Sequence, residues 1–331
     1  MADPVEMVEL WRGSICESRH RGHAVICDGS GQIVEAWGDP QALIYPRSSC
    51  KMVQALPLIE SGAADRFGLT DAHLALACAS HQGAAIHTGP VNAWIADLGL
   101  TDDAFRCGAQ PPSDKAAKHA LIRAGELPCQ VHNNCSGKHA GFLTLAAHLG
   151  AGPEYVEVDH PVQIAVKAAF EEVTGEISPT HGVDGCSAPN FATTVHGLAR
   201  AMAAFATAKD AGGARAQAST RLVQAMITYP ELVAGEGRAC TELMRAANEQ
   251  VALKTGAEGV FVAILPERGL GIALKIADGA TRASEAAITA LLVKLGVLDQ
   301  THRSALKRLN GPVANWRGLH VGMIRTADGF C

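Results

Sequence analysis

Segments with strand character lie at both ends of this chain, and the long middle part has a helical pattern. Near the N-terminus these segments are VEMVELWRG and GHAVICDGSGQIVEAWG, of which the second contains the hairpin signal DGSG. Near the C-terminus they are EGVFVAILPERGLGIALKIADG and RGLHVGMIRTA. Because isolated hairpins are only marginally stable, we expect the strands of both ends to join in one sheet. The predicted fold class is therefore α/β.

Between the two ends, Ala- and Leu-rich segments with helical spacing follow one another, separated by Gly, Pro and Asp. We predict a single unit over residues 1–331, in which residues 1–45 and 250–331 form an α/β lobe. Residues 46–249 form a large helical lobe inserted between the two parts of the sheet. A cleft between two such lobes is where a small-molecule site is expected.

Composition argues against several kinds of partner. Hydrophobic residues make up 48% of the chain and charged residues 18%, and the net charge is −5 with scattered Lys and Arg. We therefore expect a compact protein that binds neither nucleic acid nor a membrane surface. The stretch MADPVEMVELWRG lacks the basic and apolar regions of a signal peptide, and no apolar run is long enough to span a membrane. We expect a cytoplasmic protein whose cysteines are mostly free thiols.

The segment YPRSSCKMVQALPLIESG, residues 45–62, raises the question of a serine nucleophile. On a helix, Ser48 and Lys51 share a face because they are three residues apart, whereas Ser49 and Lys51 do not. A lysine acts as a base only after it loses its proton, which burial favours, and MVQALPLI is apolar enough to bury its stem. Arg47 is expected to balance charge at such a site. By itself, Ser-x-x-Lys is more typical of an N-cap serine followed by a solvated lysine.

Two further motifs favour catalysis. SHQ at residues 80–82 follows the second helical segment, and KTG at residues 254–256 stands where strand character returns. Serine β-lactamases and penicillin-binding proteins carry Ser-x-x-Lys, Ser-Asp-Asn and Lys-Thr-Gly in this order, and only the middle element is altered in this chain. The predicted architecture is that same fold. Ser80 can share a proton with Lys51 or Lys254. Taken separately, Ser80 also fits a serine at a helix end and Lys254 an exposed strand residue.

The segment VHNNCSGKHAGFL, residues 131–143, collects polar side chains just before a helical pattern begins. Lys138 and His139 follow Cys135 by three and four residues, so the three side chains can converge on one helical face. The alternative is a capped helix start with a buried thiol.

A second polar segment, HGVDGCSAPNF at residues 181–191, contains His181, Asp184 and Cys186. Two cysteines with nitrogen donors can form a zinc site, although the spacing matches no zinc-finger pattern. The alternative is a loop that only turns, and His181 is more typical of a turn or core histidine than of a ligand.

The segments PRSSCK, ASHQG, HNNCSGKHAGF, GVDGCSAP and KTGAEGVF together resemble the Rhizobium etli-type L-asparaginase family, and the resemblance covers nearly the whole chain. That family is similar in fold to serine β-lactamases and glutaminases. The resemblance implies an antiparallel sheet built from N- and C-terminal strands, with a large helical lobe inserted between them. It also implies a homodimer that hydrolyses L-asparagine to L-aspartate and ammonia.

The resemblance further implies two Ser–Lys pairs, a Zn²⁺ site completed by water, and two polar side chains close to the substrate. The pairs are Ser48 with Lys51 and Ser80 with Lys254; the zinc ligands are Cys135, Lys138 and Cys186; the residues near the substrate are His139 and Asp184. An amide needs an activated nucleophile, donors for the oxyanion and an acid for the departing ammonia, and a Ser–Lys pair can supply the first and the last.

Three other functions stay open at this point. A glutaminase acts on a substrate longer by one methylene, a difference worth only about 1–3 kcal/mol in a pocket. A β-lactamase or penicillin-binding enzyme is disfavoured by the missing signal peptide. A zinc- or thiol-dependent redox sensor would use Cys135 and Cys186 as its reactive pair, but it would not need Ser48, Lys51 and Lys254.

Overall fold

The computed structural model describes residues 2–331, and strands from both ends of the chain form one antiparallel sheet. The strands are β1 (Val5–Arg12), β2 (Ile15–Asp28), β3 (Ile33–Trp37), β4 (Leu43–Ile44), β5 (His181–Val183), β6 (Pro189–Phe191), β7 (Thr193–Thr194), β8 (Ala252–Thr255), β9 (Val260–Leu265), β10 (Leu270–Ile276), β11 (Gly311–Ala314) and β12 (His320–Thr326). The main sheet has eight strands in the order β11-β12-β1-β2-β10-β9-β8, with β3 paired to β2.

Fourteen α-helices lie within residues 2–331, and most of them are in the middle of the chain. They are α1 (Lys51–Gln54), α2 (Leu56–Glu60), α3 (Ala63–Arg66), α4 (Asp71–Ala77), α5 (Ala85–Asp97), α6 (Lys115–Ala124), α7 (Ser136–Leu149), α8 (Pro161–Thr174), α9 (Val195–Ala206), α10 (Ala214–Thr228), α11 (Pro230–Val233), α12 (Ala239–Ala246), α13 (Thr281–Lys294) and α14 (Arg303–Leu306). No helix within residues 2–331 combines the length and the apolar character that crossing a membrane requires.

The pairing between the two chain ends confirms the predicted α/β class and the origin of its antiparallel sheet. Strand β1 pairs with β2 on one side and with β12 on the other, so that Val8 stands opposite Thr326. On its other side β2 pairs with β10, and Ile26 stands opposite Ile272. Strand β9, next to β10, is buried along its whole length because α9 and α13 both pack on it.

Contacts between residues divide the chain into two compact units. Unit 1 comprises Met1–Ser49, Thr193–Thr207 and Glu242–Cys331, and unit 2 comprises Cys50–Ala192 and Ala208–Thr241. Unit 1 contains the eight-stranded sheet with α9 and α13, whereas unit 2 contains α1 to α8 with α10 and α11. The boundaries of the predicted lobes, 1–45 with 250–331 and 46–249, stay a prediction.

The segment Thr193–Thr207 belongs to unit 1, although the sequence assigned it to the helical lobe. Helix α9 lies directly on the sheet because Gly271 of β10 has no side chain. A Cβ at Gly271 would collide with the amide nitrogen of Ala203. The helix begins at Val195, since Thr193–Thr194 pairs as strand β7 and the Thr194 hydroxyl accepts from Gly197 N at 2.9 Å.

Candidate active site

A short turn at Arg47–Cys50 carries the predicted nucleophile, Ser48, which belongs to unit 1. The neighbouring Ser49 is fully buried, and its hydroxyl donates to the carbonyl oxygen of Pro46 at 2.7 Å. The N-cap residue of α1 is Cys50, which makes no side-chain cap hydrogen bond. The alternative in which a serine caps this helix is therefore wrong, and the Ser49 hydroxyl has a structural partner instead.

The KTG segment lies against the same turn. Lys254 on β8 is only 1% exposed, so the alternative of an exposed strand residue is wrong. Its Nζ donates to Thr255 O at 2.9 Å. A Cβ added at Gly256 would lie 2.7 Å from Pro46 O, which shows how closely the end of β8 approaches the serine turn. Glycine at this position permits that approach.

Arg47 stands at the start of the turn with a positive φ of 53°. Its guanidinium Nη1 lies 3.9 Å from a carboxylate oxygen of Glu258, also in unit 1. The Arg47 side chain is 26% exposed and that of Glu258 is 69% exposed. An ion pair this long and this exposed contributes little to stability. The expected role of Arg47, to balance charge at the site, stays a prediction.

Lys51, the predicted base, is the first residue of α1 in unit 2 and has no exposed surface. Its Nζ donates to the carbonyl oxygen of Ala79 and lies 3.2 Å from the Cys135 sulfur. Burying an amine is costly unless polar groups replace its water, and these two acceptors do so in part.

The segment after α4, which contains Ala79, Ser80 and His81, is held beside the Lys51 amine by two backbone hydrogen bonds. Ser80 N donates to Val233 O at 2.9 Å, and His81 N donates to Asn134 O at 3.1 Å. Ser80 is 6% exposed and lies three residues beyond the last residue of α4. The Ser80–Lys254 pair implied by the family resemblance stays a prediction.

His81 ties this segment to the start of α7. Its Nδ1 accepts from Gly83 N at 3.1 Å, so its Nε2 carries the proton and donates to the Ser136 hydroxyl at 2.9 Å. That hydroxyl in turn donates to Val131 O at 2.8 Å. Burial, and then the charge of His87, hold the pKa of His81 well below its usual value, so the ring bridges the two segments in its neutral form.

The two predicted zinc-binding cysteines and the predicted lysine ligand form one buried cluster. Lys138 Nζ lies 3.0 Å from the Cys186 sulfur, and the Cys135 thiol donates to Asn134 Oδ1 at 3.0 Å. A hydrogen bond with Cys186 and then burial raise the pKa of Cys135. The hydrogen bond with Cys135 lowers the pKa of Cys186 against its burial, and the charge of Lys138 adds to this. Cys186 therefore loses its proton more readily than Cys135 does.

Lys138 is protonated in this cluster. Burial acts to lower the pKa of Lys138, but Cys186 and Cys135 outweigh it, and the pKa is raised. Asp184, in the turn between β5 and β6, raises it further through its charge. The hairpin formed by these two strands brings Cys186 and Asp184 to the start of α7, which contradicts the alternative of a loop that only turns.

His139 follows Lys138 on α7 and is fully buried. Burial lowers its pKa to about 4, although a hydrogen bond with Cys186 opposes the shift. Its Nδ1 lies 2.9 Å from the hydroxyl of Tyr155, a contact that the sequence did not predict. Tyr155 lies in a loop without a recognisable motif, and only the folded chain brings it to the site.

The donor set of the cluster fits zinc. Two cysteine sulfurs and an amine nitrogen are ligands of the soft and borderline kind that zinc accepts, and a water can complete four-coordination. Among residues 2–331 no group of three or more His, Cys, Asp and Glu side chains forms a metal site, so the amine of Lys138 would be the third ligand. Zinc binding would have to displace a proton from this amine.

Unit 2 thus brings together the predicted residues Lys51, Ser80, Cys135, Lys138, His139, Asp184 and Cys186. Unit 1 brings the KTG segment to the turn that carries Arg47 and Ser48. The backbone oxygen of Ala79, the amide of Asn134 and the Tyr155 hydroxyl contact these residues, and sequence patterns did not reveal them.

Gly137 is expected to be essential for the placement of this cluster. A Cβ at Gly137 would collide with the carbonyl oxygen of Leu76, because α7 begins directly against the end of α4. Gly137→Ala should therefore lower the free energy of unfolding by about 1–3 kcal/mol, measured by urea denaturation. On the same helix, the atom nearest to a Cβ at Gly141 would be the flexible end of Leu58, at 3.3 Å. Gly141→Ala should change stability less, and equal losses in both variants would contradict this interpretation.

Comparison with known proteins gives structural neighbours and a family. A structure of Mglu in its native form is 14% identical, with 92% of this chain and 70% of that chain covered and a TM-score of 0.47. Mglu in its tris and glutamate form is 14% identical, with coverage of 91% and 64% and a TM-score of 0.46. This chain thus spans about two thirds of the length of the Mglu chains.

A β-lactamase from Mycobacterium bovis is 13% identical, with 84% of this chain and 95% of that chain covered and a TM-score of 0.45. These TM-scores are too low to transfer any property of those proteins to this chain. No curated protein sequence matches it. The family model described as L-asparaginase II matches residues 8–326, nearly the whole chain.

Proposed function

The chain belongs to the L-asparaginase II family, which implies an amidohydrolase, and from that premise we propose that it hydrolyses L-asparagine to L-aspartate and ammonia. The observation that carries the proposal is the complete burial of Lys51, three residues after Ser48. In Ser–Lys hydrolases a lysine amine that is kept out of water activates the serine hydroxyl. Ser49 is a poorer candidate nucleophile because its hydroxyl already donates to Pro46 O.

In the proposed reaction, Ser48 Oγ attacks the side-chain amide carbonyl of asparagine while Lys51 Nζ accepts the hydroxyl proton. The tetrahedral intermediate then breaks its C–N bond, and the Lys51 ammonium returns a proton to the departing ammonia. The product is an aspartyl ester on Ser48. Water hydrolyses this ester, aspartate leaves, and the serine hydroxyl is restored. His139 and Asp184 contact the substrate in this proposal.

Cys135, Lys138 and Cys186 would hold zinc in this proposal. A zinc ion that two thiolates have already neutralised is a weak Lewis acid, so its expected contribution is to hold the substrate rather than to generate the nucleophile. The chain's own serine and lysine carry out the bond changes.

Loss of the metal is expected to weaken substrate binding more than the chemical step. Protein purified without chelator should contain about one zinc per chain, and its removal should raise KM more than it lowers kcat. Cys186→Ala should lose the metal, and it is the better test because Cys135 also contacts Lys51. Cys27→Ala, which removes a buried thiol on β2, should keep the metal. Wild-type protein without zinc, or a collapsed kcat with unchanged KM, would contradict the proposed zinc role.

The substrate assignment is tested by ammonia release from asparagine and from glutamine, together with hydrolysis of a chromogenic β-lactam. We expect asparagine to give the highest kcat/KM. A preference for glutamine would leave the amidohydrolase activity as proposed, but the substrate would be the side-chain amide that is longer by one methylene. Turnover of the β-lactam alone would contradict the proposal. Size-exclusion chromatography with light scattering tests the proposed homodimer.

A further inference from the structure

We propose that Tyr155 is a positioning residue that fixes His139 as the Nε2–H tautomer, so that His139 presents a hydrogen-bond donor inside the candidate site. The two side chains meet at 2.9 Å between the Tyr155 hydroxyl and His139 Nδ1, and both are fully buried.

The direction of this hydrogen bond follows from a second contact of the Tyr155 hydroxyl. Arg106 N donates to the hydroxyl oxygen at 2.7 Å, so that oxygen already acts as an acceptor. Its own hydrogen needs another acceptor, and among residues 2–331 His139 Nδ1 is the one within hydrogen-bond distance. If Nδ1 carried a proton and donated instead, the hydroxyl hydrogen would be buried without a partner, which is costly.

The Arg106 donor is itself held firmly. The Arg106 guanidinium donates to both carboxylate oxygens of Glu154, the residue before Tyr155, at 2.9–3.1 Å. The buried Gln163 amide donates to Tyr155 O at 2.8 Å. Both ends of the tyrosine are thus anchored, so the position of its hydroxyl does not depend on His139.

A neutral imidazole that accepts at Nδ1 carries its proton at Nε2. Within residues 2–331, His139 Nε2 is buried and has no hydrogen-bond partner of good geometry. Cys186 lies close enough to His139 for the imidazole to lower the pKa of the Cys186 thiol. The Nε2–H group is therefore a donor held among the predicted zinc ligands, available to an acceptor on a bound substrate.

The tautomer assignment does not depend on the proposed function, whereas its effect on asparagine turnover rests on that function. The direct test is ¹⁵N NMR of the wild-type protein with labelled histidine, in which the His139 signals are identified by their loss in His139→Gln. We expect a pyrrole-like Nε2 and a pyridine-like Nδ1. A proton on Nδ1, or on both nitrogens, would overturn the proposal.

Tyr155→Phe removes the hydroxyl and keeps the ring that packs against His139 and Phe142. The His139 signals should shift toward those of a ring that samples both tautomers, and KM should rise roughly three- to tenfold with a smaller change in kcat. Tyr229→Phe is the matched control and should leave both the spectrum and KM unchanged. An unaltered His139 spectrum in Tyr155→Phe would overturn the role of Tyr155. A spectrum as expected with no asparagine turnover would instead refute the proposed function alone.

Discussion

Ser48→Ala is expected to reduce kcat for asparagine by about 10⁴-fold or more, the scale of loss seen when a nucleophile of this kind is removed. The fold should survive, because the turn is held by hydrogen bonds from Ser49 to Pro46 and not by the Ser48 hydroxyl. Steady-state ammonia release measures kcat, and urea unfolding measures stability.

Ser49→Ala is the matched control one residue away. It removes the hydrogen bond to Pro46 O, so it should lower the free energy of unfolding by about 1 kcal/mol and reduce kcat only modestly. Equal, small losses of activity in the two variants would refute Ser48 as the nucleophile. A larger loss of activity in Ser49→Ala than in Ser48→Ala would identify Ser49 as the nucleophile.

Lys51→Arg is expected to be about as inactive as Lys51→Met. Arginine keeps the positive charge but cannot give up its proton in a protein, so it cannot act as a base. Methionine fills the same space without charge, but it leaves Ala79 O and the Cys135 sulfur without their donor. Both variants should lose several orders of magnitude in kcat, measured by ammonia release.

Lys118→Met, on the exposed helix α6, controls for the general loss of a lysine and should retain wild-type kcat. An active Lys51→Arg variant would show that a positive charge at this position is sufficient for catalysis and that Lys51 is not a base. Circular dichroism of each variant separates loss of chemistry from loss of fold.

The sheet was predictable from the sequence because its strands leave strong local signals. The β2–β3 hairpin follows the DGSG turn, and β9 and β10 follow two apolar runs joined by PERG. Strand β11 was not predicted. Its short sequence GPVA contains Pro312, which suits the edge of a sheet, and its position depends on pairing with β12.

Much of the candidate site was predictable for a different reason. Lys51 and Cys135 lie in segments whose spacing and composition are unusual, and the apolar MVQALPLI after Lys51 predicted the burial of its stem. The contact between them joins residues 84 positions apart, and no local pattern encodes it. Tyr155 and Ala79 O contribute single polar atoms from otherwise ordinary segments, so their roles are visible only in the packed chain.

The most direct test of the account is to trap the acyl-enzyme. Enzyme mixed with asparagine and quenched in acid within its first turnovers should carry an aspartyl ester, located by peptide mass mapping. We predict the ester on the peptide that contains Ser48, and its complete loss in Ser48→Ala. An aspartyl adduct on Ser80 or on a cysteine, or turnover of asparagine without any adduct at Ser48 under conditions where the ester should accumulate, would contradict the account.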